Sequence, residues 1–257
     1  MLTRLHDPIE LLRHKMEGVA ELTNAERKAL AALPIRVVAL AADQDIVRQA
    51  DKSLQSCLLM QGLACSSKVV GDGRRQIVAF HLPGDLPDLM SLHVGTVDTT
   101  VMTMTPAKVG VILHEHLREL FANHRLATAF WRSLVADAAV AREWTVNLGR
   151  RDGPSRTAHL LSELIARMRD IGAVNGDSFD LPITQEELGD ALGMSTVHVN
   201  RCLQSLRRKG LISWVGATLS ILDRSSLAEA GDFNDEYLNL SRSAAPVGAV
   251  WEQRRLH

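Results

Sequence analysis

The chain has 257 residues, which sets a soft expectation of one large domain or two ordinary ones. Hydrophobic residues make up 46% and charged residues 23%, as in ordinary globular domains that bury a core. Net charge is −1, so no global basic field points to nucleic acid, and any such signal must be local.

The opening Met1-Leu2-Thr3-Arg4-Leu5-His6-Asp7-Pro8 has no apolar run of signal-peptide type. No apolar stretch approaches the ~20 residues that span a bilayer, so no membrane partner is expected. Three cysteines, Cys57, Cys65 and Cys202, do not suggest a disulfide scaffold, and a reducing cytoplasm is the expected compartment.

Residues 8–33 read as helical. Ile9, Leu12, Met16 and Val19 recur at helical spacing, and Thr23 with Glu26 forms a capping-box signature for a second short helix ending before Pro34. Residues 35–112 change character. Short β-rich runs (Cys57–Met60, Gln76–Leu82, Val97–Thr103, Lys108–Leu113) alternate with turns at Gly62, Gly71-Asp72-Gly73 and Pro83-Gly84-Asp85, which predicts a sandwich or barrel. The pair His114-x-His116 is read as alternating across a strand end.

Residues 115–148 return to helix. After a short helix to about Asn123, Leu126, Phe130, Leu134, Ala138, Ala141, Thr145 and Leu148 make one stripe with spacing 4-4-4-3-4-3. Two readings fit it: a seam against a partner helix, or packing on the chain's own β-domain. Gly149-Arg150-Arg151-Asp152-Gly153-Pro154 reads as a hinge. Asp152 can cap the next helix, over 155–171, and Pro154 falls in its first turn. A polar loop, Gly172–Asp180, follows.

Thr184-Gln185-Glu186-Glu187 is a capping box opening a short helix with Leu188, Ala191 and Leu192 apolar. Gly193 ends it, Ser195 caps the next helix, and Gly210 closes that one after Lys209. Two short helices joined by a glycine turn are a helix-turn-helix. In the second, Val199, Cys202, Leu203 and Leu206 follow i, i+3, i+4, i+7 and should face the core. Thr196, Val197, Asn200, Arg201 and Gln204 point elsewhere. The helix carries Arg201, Arg207, Arg208 and Lys209 and no acid. A solvated basic face would explain the charge alone; the glycine turn and paired caps favour a helix lying against phosphates. Leu211–Trp214, a turn at Val215-Gly216 and Ala217–Leu222 read as a wing hairpin.

The run Ile183-Thr184-Gln185-Glu186-Glu187-Leu188-Gly189, Leu192-Gly193-Met194-Ser195, Val199-Asn200-Arg201, Leu206 and Gly210-Leu211-Ile212 resembles the winged helix-turn-helix of the bacterial CRP/FNR regulators. Upstream, the order of helix, β-roll with Pro83-Gly84-Asp85, long helix and hinge is similar over roughly residues 20–225. The resemblance implies an α+β chain: an N-terminal β jelly-roll sensor domain, a long dimerisation helix and a C-terminal winged helix-turn-helix. The corresponding boundaries are 1–123, 124–149, 150–224 and, for a C-terminal extension, 225–257. It implies a homodimer joined at Leu126, Phe130, Leu134, Ala138, Ala141, Thr145 and Leu148. It also implies binding of palindromic double-stranded DNA through Thr184, Ser195, Thr196, Val197, His198, Asn200, Arg201, Gln204, Arg207 and Arg208. RNA polymerase and an unidentified small-molecule effector are the further partners implied.

The sequence departs from the family at its known signals. Cyclic-AMP-binding members hold the phosphate with a Gly-Glu pair and an Arg-Ser/Thr pair; here Pro87-Asp88-Leu89 and Asp98-Thr99 stand there, and Asp98 should repel a phosphate. Iron–sulfur members use an N-terminal cysteine group, and the first fifty residues contain no cysteine although a cluster needs about four thiolates. Neither cofactor nor metal is therefore expected. Cys57 and Cys65 read as small core hydrophobes, with a redox pair as the minor alternative. Val197 replaces the usual Glu of the recognition helix. Rival functions are a cupin-like enzyme on the jelly roll and a ligand-sensing signalling module. His114-Glu115-His116 has the wrong surroundings for the first, and the helix-turn-helix speaks against the second. Leu227–Leu240 reads as polar and partly helical, and Ser241–His257 as flexible.

Overall fold

The computed structural model describes residues 7–238 and 240, so the expectation for Ser241–His257 lies outside the described residues. Two helices open it. α1 (Pro8–Val19) is capped by Asp7, and α2 (Asn24–Ala31) carries the Thr23–Glu26 capping box with both reciprocal bonds made. Seven strands follow: β1 (Arg36–Leu40), β2 (Asp45–Val47), β3 (Gln55–Gln61), β4 (Ala64–Val69), β5 (Arg75–His81), β6 (Thr100–Thr103) and β7 (Ala107–Leu113). They form two antiparallel sheets, β1-β7-β3 and β2-β6-β4-β5. Leu59, Val109 and Val111 of the first sheet and Ala64 of the second share one apolar cluster, which closes the roll.

Three strands, β1, β2 and β4, were not among the β-rich runs. β4 reads Ala64-Cys65-Ser66-Ser67-Lys68-Val69, with no hydrophobic alternation, yet Ser66 and Ser67 are buried and Ser66 Oγ lies 2.7 Å from His81 Nε2. The expected strand Val97–Thr103 begins only at Thr100. Val97 instead sits buried in a loop, held by Val97 N donating to Asp51 O and Ala50 N to Val97 O. A short helix, α3 (Ser91–Val94), fills part of the gap.

His114 and His116 are corrected from a strand end to the first turn of α4 (His114–Leu120). His114 is buried between Ser56 Oγ at 3.1 Å and Ser91 Oγ at 3.3 Å, a core histidine rather than half of a ligand pair. Cys57 and Cys65 lie in separate apolar clusters, both unpaired. Burial pushes the Cys57 thiol up and the Cys65 thiol up to about 12, so neither is a ready thiolate.

α5 (His124–Arg150) runs past the expected break, and only Arg151 and Asp152 separate it from α6 (Gly153–Asp170). The α5 stripe splits. Leu126 and Phe130 are fully buried with Leu11, Leu12 and Met16 of α1, and Leu134 packs against the same core. Those two residues therefore serve the chain's own core, not a partner, which corrects the first half of the expected seam. Ala138, Ala141 and Thr145 remain exposed and Leu148 is half-buried.

Asp88, in the turn before α3, is 1% exposed and accepts a hydrogen bond from Cys57 N at 2.8 Å. Burial outweighs that bond and pushes its carboxyl up to about 7. The folded value lies above the unfolded one, so its contribution is present in acid and is lost as pH rises through about 7. Asp88→Asn keeps an acceptor for Cys57 N without the buried charge. We expect it to gain on the order of 1–3 kcal/mol more relative to wild type at pH 8 than at pH 5, read from urea midpoints. An equal difference at both pH values would contradict this account.

Candidate nucleic-acid interface

The C-terminal unit is built from α6, β8 (Ser178–Asp180), α7 (Gln185–Leu192), α8 (Thr196–Arg208), β9 (Ile212–Val215), β10 (Thr218–Ile221) and α9 (Arg224–Ala230). Asp152 caps α6 through Ser155 N at 2.9 Å. Thr184 and Glu187 exchange both bonds of the capping box at the start of α7. Gly193 ends α7 at φ +62°, a left-handed position where a side chain would be strained. Ser195 then starts α8 by accepting from His198 N at 3.3 Å. β9 and β10 form the wing, and β8 adds a third antiparallel strand.

On α8, Val199, Cys202, Leu203 and Leu206 are at most 2% exposed, the stripe on which the unit's core is packed. Thr196, Val197, His198, Asn200, Arg201, Gln204 and Arg208 are all exposed. Among the described residues Arg201, Arg208 and Lys209 have no carboxylate partner, so their charge is open to solvent. Val197 is 63% exposed on the same face.

Two of the expected contact residues have structural work. Arg207 is half-buried and donates to Trp214 O at 3.3 Å, tying α8 to the wing. The Thr184 hydroxyl is engaged in its capping box. One participant was missed: Gln185 Oε1 accepts from Asn200 Nδ2 at 3.2 Å and so holds the Asn200 amide across the two helices. The i, i+15 separation hides this pair from any single-helix reading.

The unit is seated on the β-roll of its own chain. Arg75 of β5 pairs with Asp190 of α7 at 2.7 Å, and Gln76 donates to Ala191 O. Elsewhere on the roll, α1, β5, α5 and α6 line an open cavity of about 630 Å³. Leu11, Phe80, Leu134 and Val140 supply apolar wall; Lys15, Asp85 and Arg167 supply a polar end. Among the described residues no group of three His, Cys, Asp or Glu could hold a metal ion. No described helix is long and apolar enough to cross a membrane.

Residues 155–230 match the Crp-like helix-turn-helix domain, and residues 37–124 match the cyclic nucleotide-binding domain. The transcriptional activator protein FnrL of Cereibacter sphaeroides is 31% identical over 204 residues, covering 76% of this chain and 80% of that protein. The nitrogen fixation regulation protein FixK of Bradyrhizobium diazoefficiens is 29% identical over 171 residues, covering 64% of this chain and 69% of its own. Among solved structures, FixK2 from Bradyrhizobium japonicum has a TM-score of 0.67 at 23% identity, over 83% of this chain and 100% of that one.

Proposed function

The chain belongs to the CRP/FNR family of transcription regulators and carries its helix-turn-helix DNA-binding domain, and from that premise we propose that it is a homodimer reading an inverted repeat through residues 195–209. The observation that carries this reading is the sorting of α8: a wholly buried apolar stripe behind an exposed face with two open cations, a third at its C-cap, and no acid.

In a helix-turn-helix the N-terminal part of the second helix enters the major groove. Thr196, Val197, Asn200 and Arg201 occupy the first two turns of α8 and are exposed there. Arg can bridge guanine O6 and N7, Asn can bridge adenine N6 and N7, and Val can touch a thymine methyl. Arg201 thus reads a guanine, while Asn200 and Val197 bias an adjacent A·T pair. RNA polymerase is the partner that a family activator serves.

Dimerisation falls to the face of α5 that the core leaves free. Trp131, Val135 and Val146 are large apolar residues at 49%, 61% and 45% exposure, and Ala138 and Thr145 lie between them on the helix. The signal is one other than cyclic AMP. Asp98 stands where a phosphate would need a cation and is paired with the exposed Lys68 at 3.2 Å, while Asp88, in place of the Gly-Glu pair, is buried and committed to Cys57 N. The cavity beside the unit is the place for a small-molecule effector.

Three outcomes follow. In a selection on randomised DNA, Arg201→Ala costs ~1–3 kcal/mol on the wild-type site and relaxes one symmetric base pair. Arg208→Ala, nearer the helix end, weakens all sequences alike and lowers the salt slope by about 1. An unchanged motif for Arg201→Ala would show that the recognition helix is misassigned. Val135→Asp places a charge in the seam and weakens the dimer by about 100-fold, on the order of 3 kcal/mol, by sedimentation; a variant that sediments as the same dimer refutes the seam. In calorimetry, neither cyclic AMP nor cyclic GMP binds at micromolar concentrations, and heat at that level would overturn the view of the signal.

A further inference from the structure

Past Ala230, where the match to the helix-turn-helix domain ends, the chain turns back over the hinge between α5 and α6. Leu227–Leu240 was expected to be partly helical; the structure has α9, a break at Gly231 and a 3-10 turn at Asp235–Leu238. The break is a close approach. A Cβ on Gly231 would stand 2.5 Å from His159 N and 2.8 Å from Ala158 C, so only glycine lets this backbone lie on α6. Gly231 O accepts from His159 Nδ1 at 3.0 Å, and Phe233 meets the same ring edge-on at 5.3 Å. Arg151, a hinge residue, donates to both the carbonyl and the carboxylate of Asp232.

The far end is anchored as well. Tyr237 OH donates to Glu163 Oε2 at 2.8 Å, and Leu238 is buried. Glu163 is wholly buried on α6, and the same carboxylate accepts from Trp144 Nε1 of α5 at 3.1 Å. One carboxylate thus collects a donor from the helix before the hinge and a donor from the returning segment. A two-residue covalent link does not by itself fix the angle between two helices. Two contacts cross that link: the Trp144–Glu163 bond from α5 to α6, and the packing of the 3-10 turn Asp235–Leu238 along α5 while Tyr237 ties that turn to Glu163, so opening the hinge breaks both and leaves a buried carboxylate short of a donor.

We propose that Gly231–Leu238 is a strap that fixes the DNA-binding unit on α5, with Gly231 and Tyr237 as its positioning residues, and that it thereby sets the half-site spacing the dimer accepts. The proposal rests on the DNA-binding reading above. Two recognition helices held at one separation match one spacing; hinged units match several, and each match costs the entropy of ordering them.

The test uses the full chain, Tyr237→Phe and Gly231→Ala, with Thr23→Ala as a control that weakens a distant helix cap. Duplexes carry the selected half-sites with their separation changed by up to two base pairs either way. Trypsin cleavage at Arg150 and Arg151 reports hinge opening. Wild type should prefer one spacing at least tenfold. Tyr237→Phe should cut that preference to threefold or less, lower affinity at the best spacing, and speed hinge cleavage about tenfold, as the loss of one charge-assisted bond implies. Gly231→Ala should do the same; Thr23→Ala should leave the spacing profile unchanged. If both strap variants keep the wild-type spacing profile, the strap does not position the unit and the proposal is overturned, whatever the cleavage rates. If wild type itself binds none of the duplexes, the DNA-binding reading fails and this one falls with it.

Discussion

The guanidinium of Arg167 lies between two carboxylates that belong to different parts of the chain. On one side is Asp85, in the turn after β5, at 2.9 Å; on the other is Glu163, one turn earlier on α6, at 3.3 Å. Its remaining reach goes to Phe80 O at 2.9 Å. Asp85 also binds Lys15 of α1 at 2.8 Å. Burial alone would raise the Asp85 carboxyl, but the Lys15 ammonium and the Arg167 guanidinium overcome it and hold it below the ordinary range. The roll, the first helix and the DNA-binding unit thus meet on one balanced set of charges. Such a set adds little net stability over an apolar core, yet removing one member strands a charge at a cost of roughly 3–5 kcal/mol. It specifies arrangement more than it supplies stability.

α5 divides its sides between tasks. Its first two turns are spent on the core with α1, where Leu126, Ala129 and Phe130 are buried. Further on, Trp144 gives its indole N–H to Glu163, while Val135, Ala138 and Thr145 are left to solvent. A helix that is core at one end and open along one side at the other can join a domain and a partner. For the same reason its sequence stripe did not declare which residues do which.

The helix-turn-helix was legible because its signals are local. Caps at Thr184 and Ser195, the stop at Gly193 and the stripe from Val199 to Leu206 all act within one or two turns, and each took its expected place. The roll was legible as β-structure, though β4 was hidden: its buried Ser66 is compensated by a histidine fifteen residues away. The seam was legible only in part, since a hydrophobic stripe records burial and not the identity of what covers it. Gly231 and Tyr237 gave no signal at all. Their partners lie 72 and 74 residues upstream, beyond the reach of any local pattern.

Among the described residues, two charged links tie the DNA-binding unit to the roll, and their surroundings decide which sets the seat. Arg75 and Asp190 keep 28% and 23% of their side chains exposed; Arg167 and Asp85 keep 16% and 15%. The first pair is wetter and isolated, worth up to about 1 kcal/mol in the manner of surface pairs. The second is drier and continues into Glu163, Trp144 and Tyr237, so breaking it disturbs every later donor in the series. The turn at Pro83-Gly84-Asp85 therefore carries more of the unit's placement than the broader face of β5 does. That turn also lines the cavity of about 630 Å³. A ligand able to shift the Asp85 carboxylate would act on Arg167, and through Glu163 on the hinge, without touching the recognition helix.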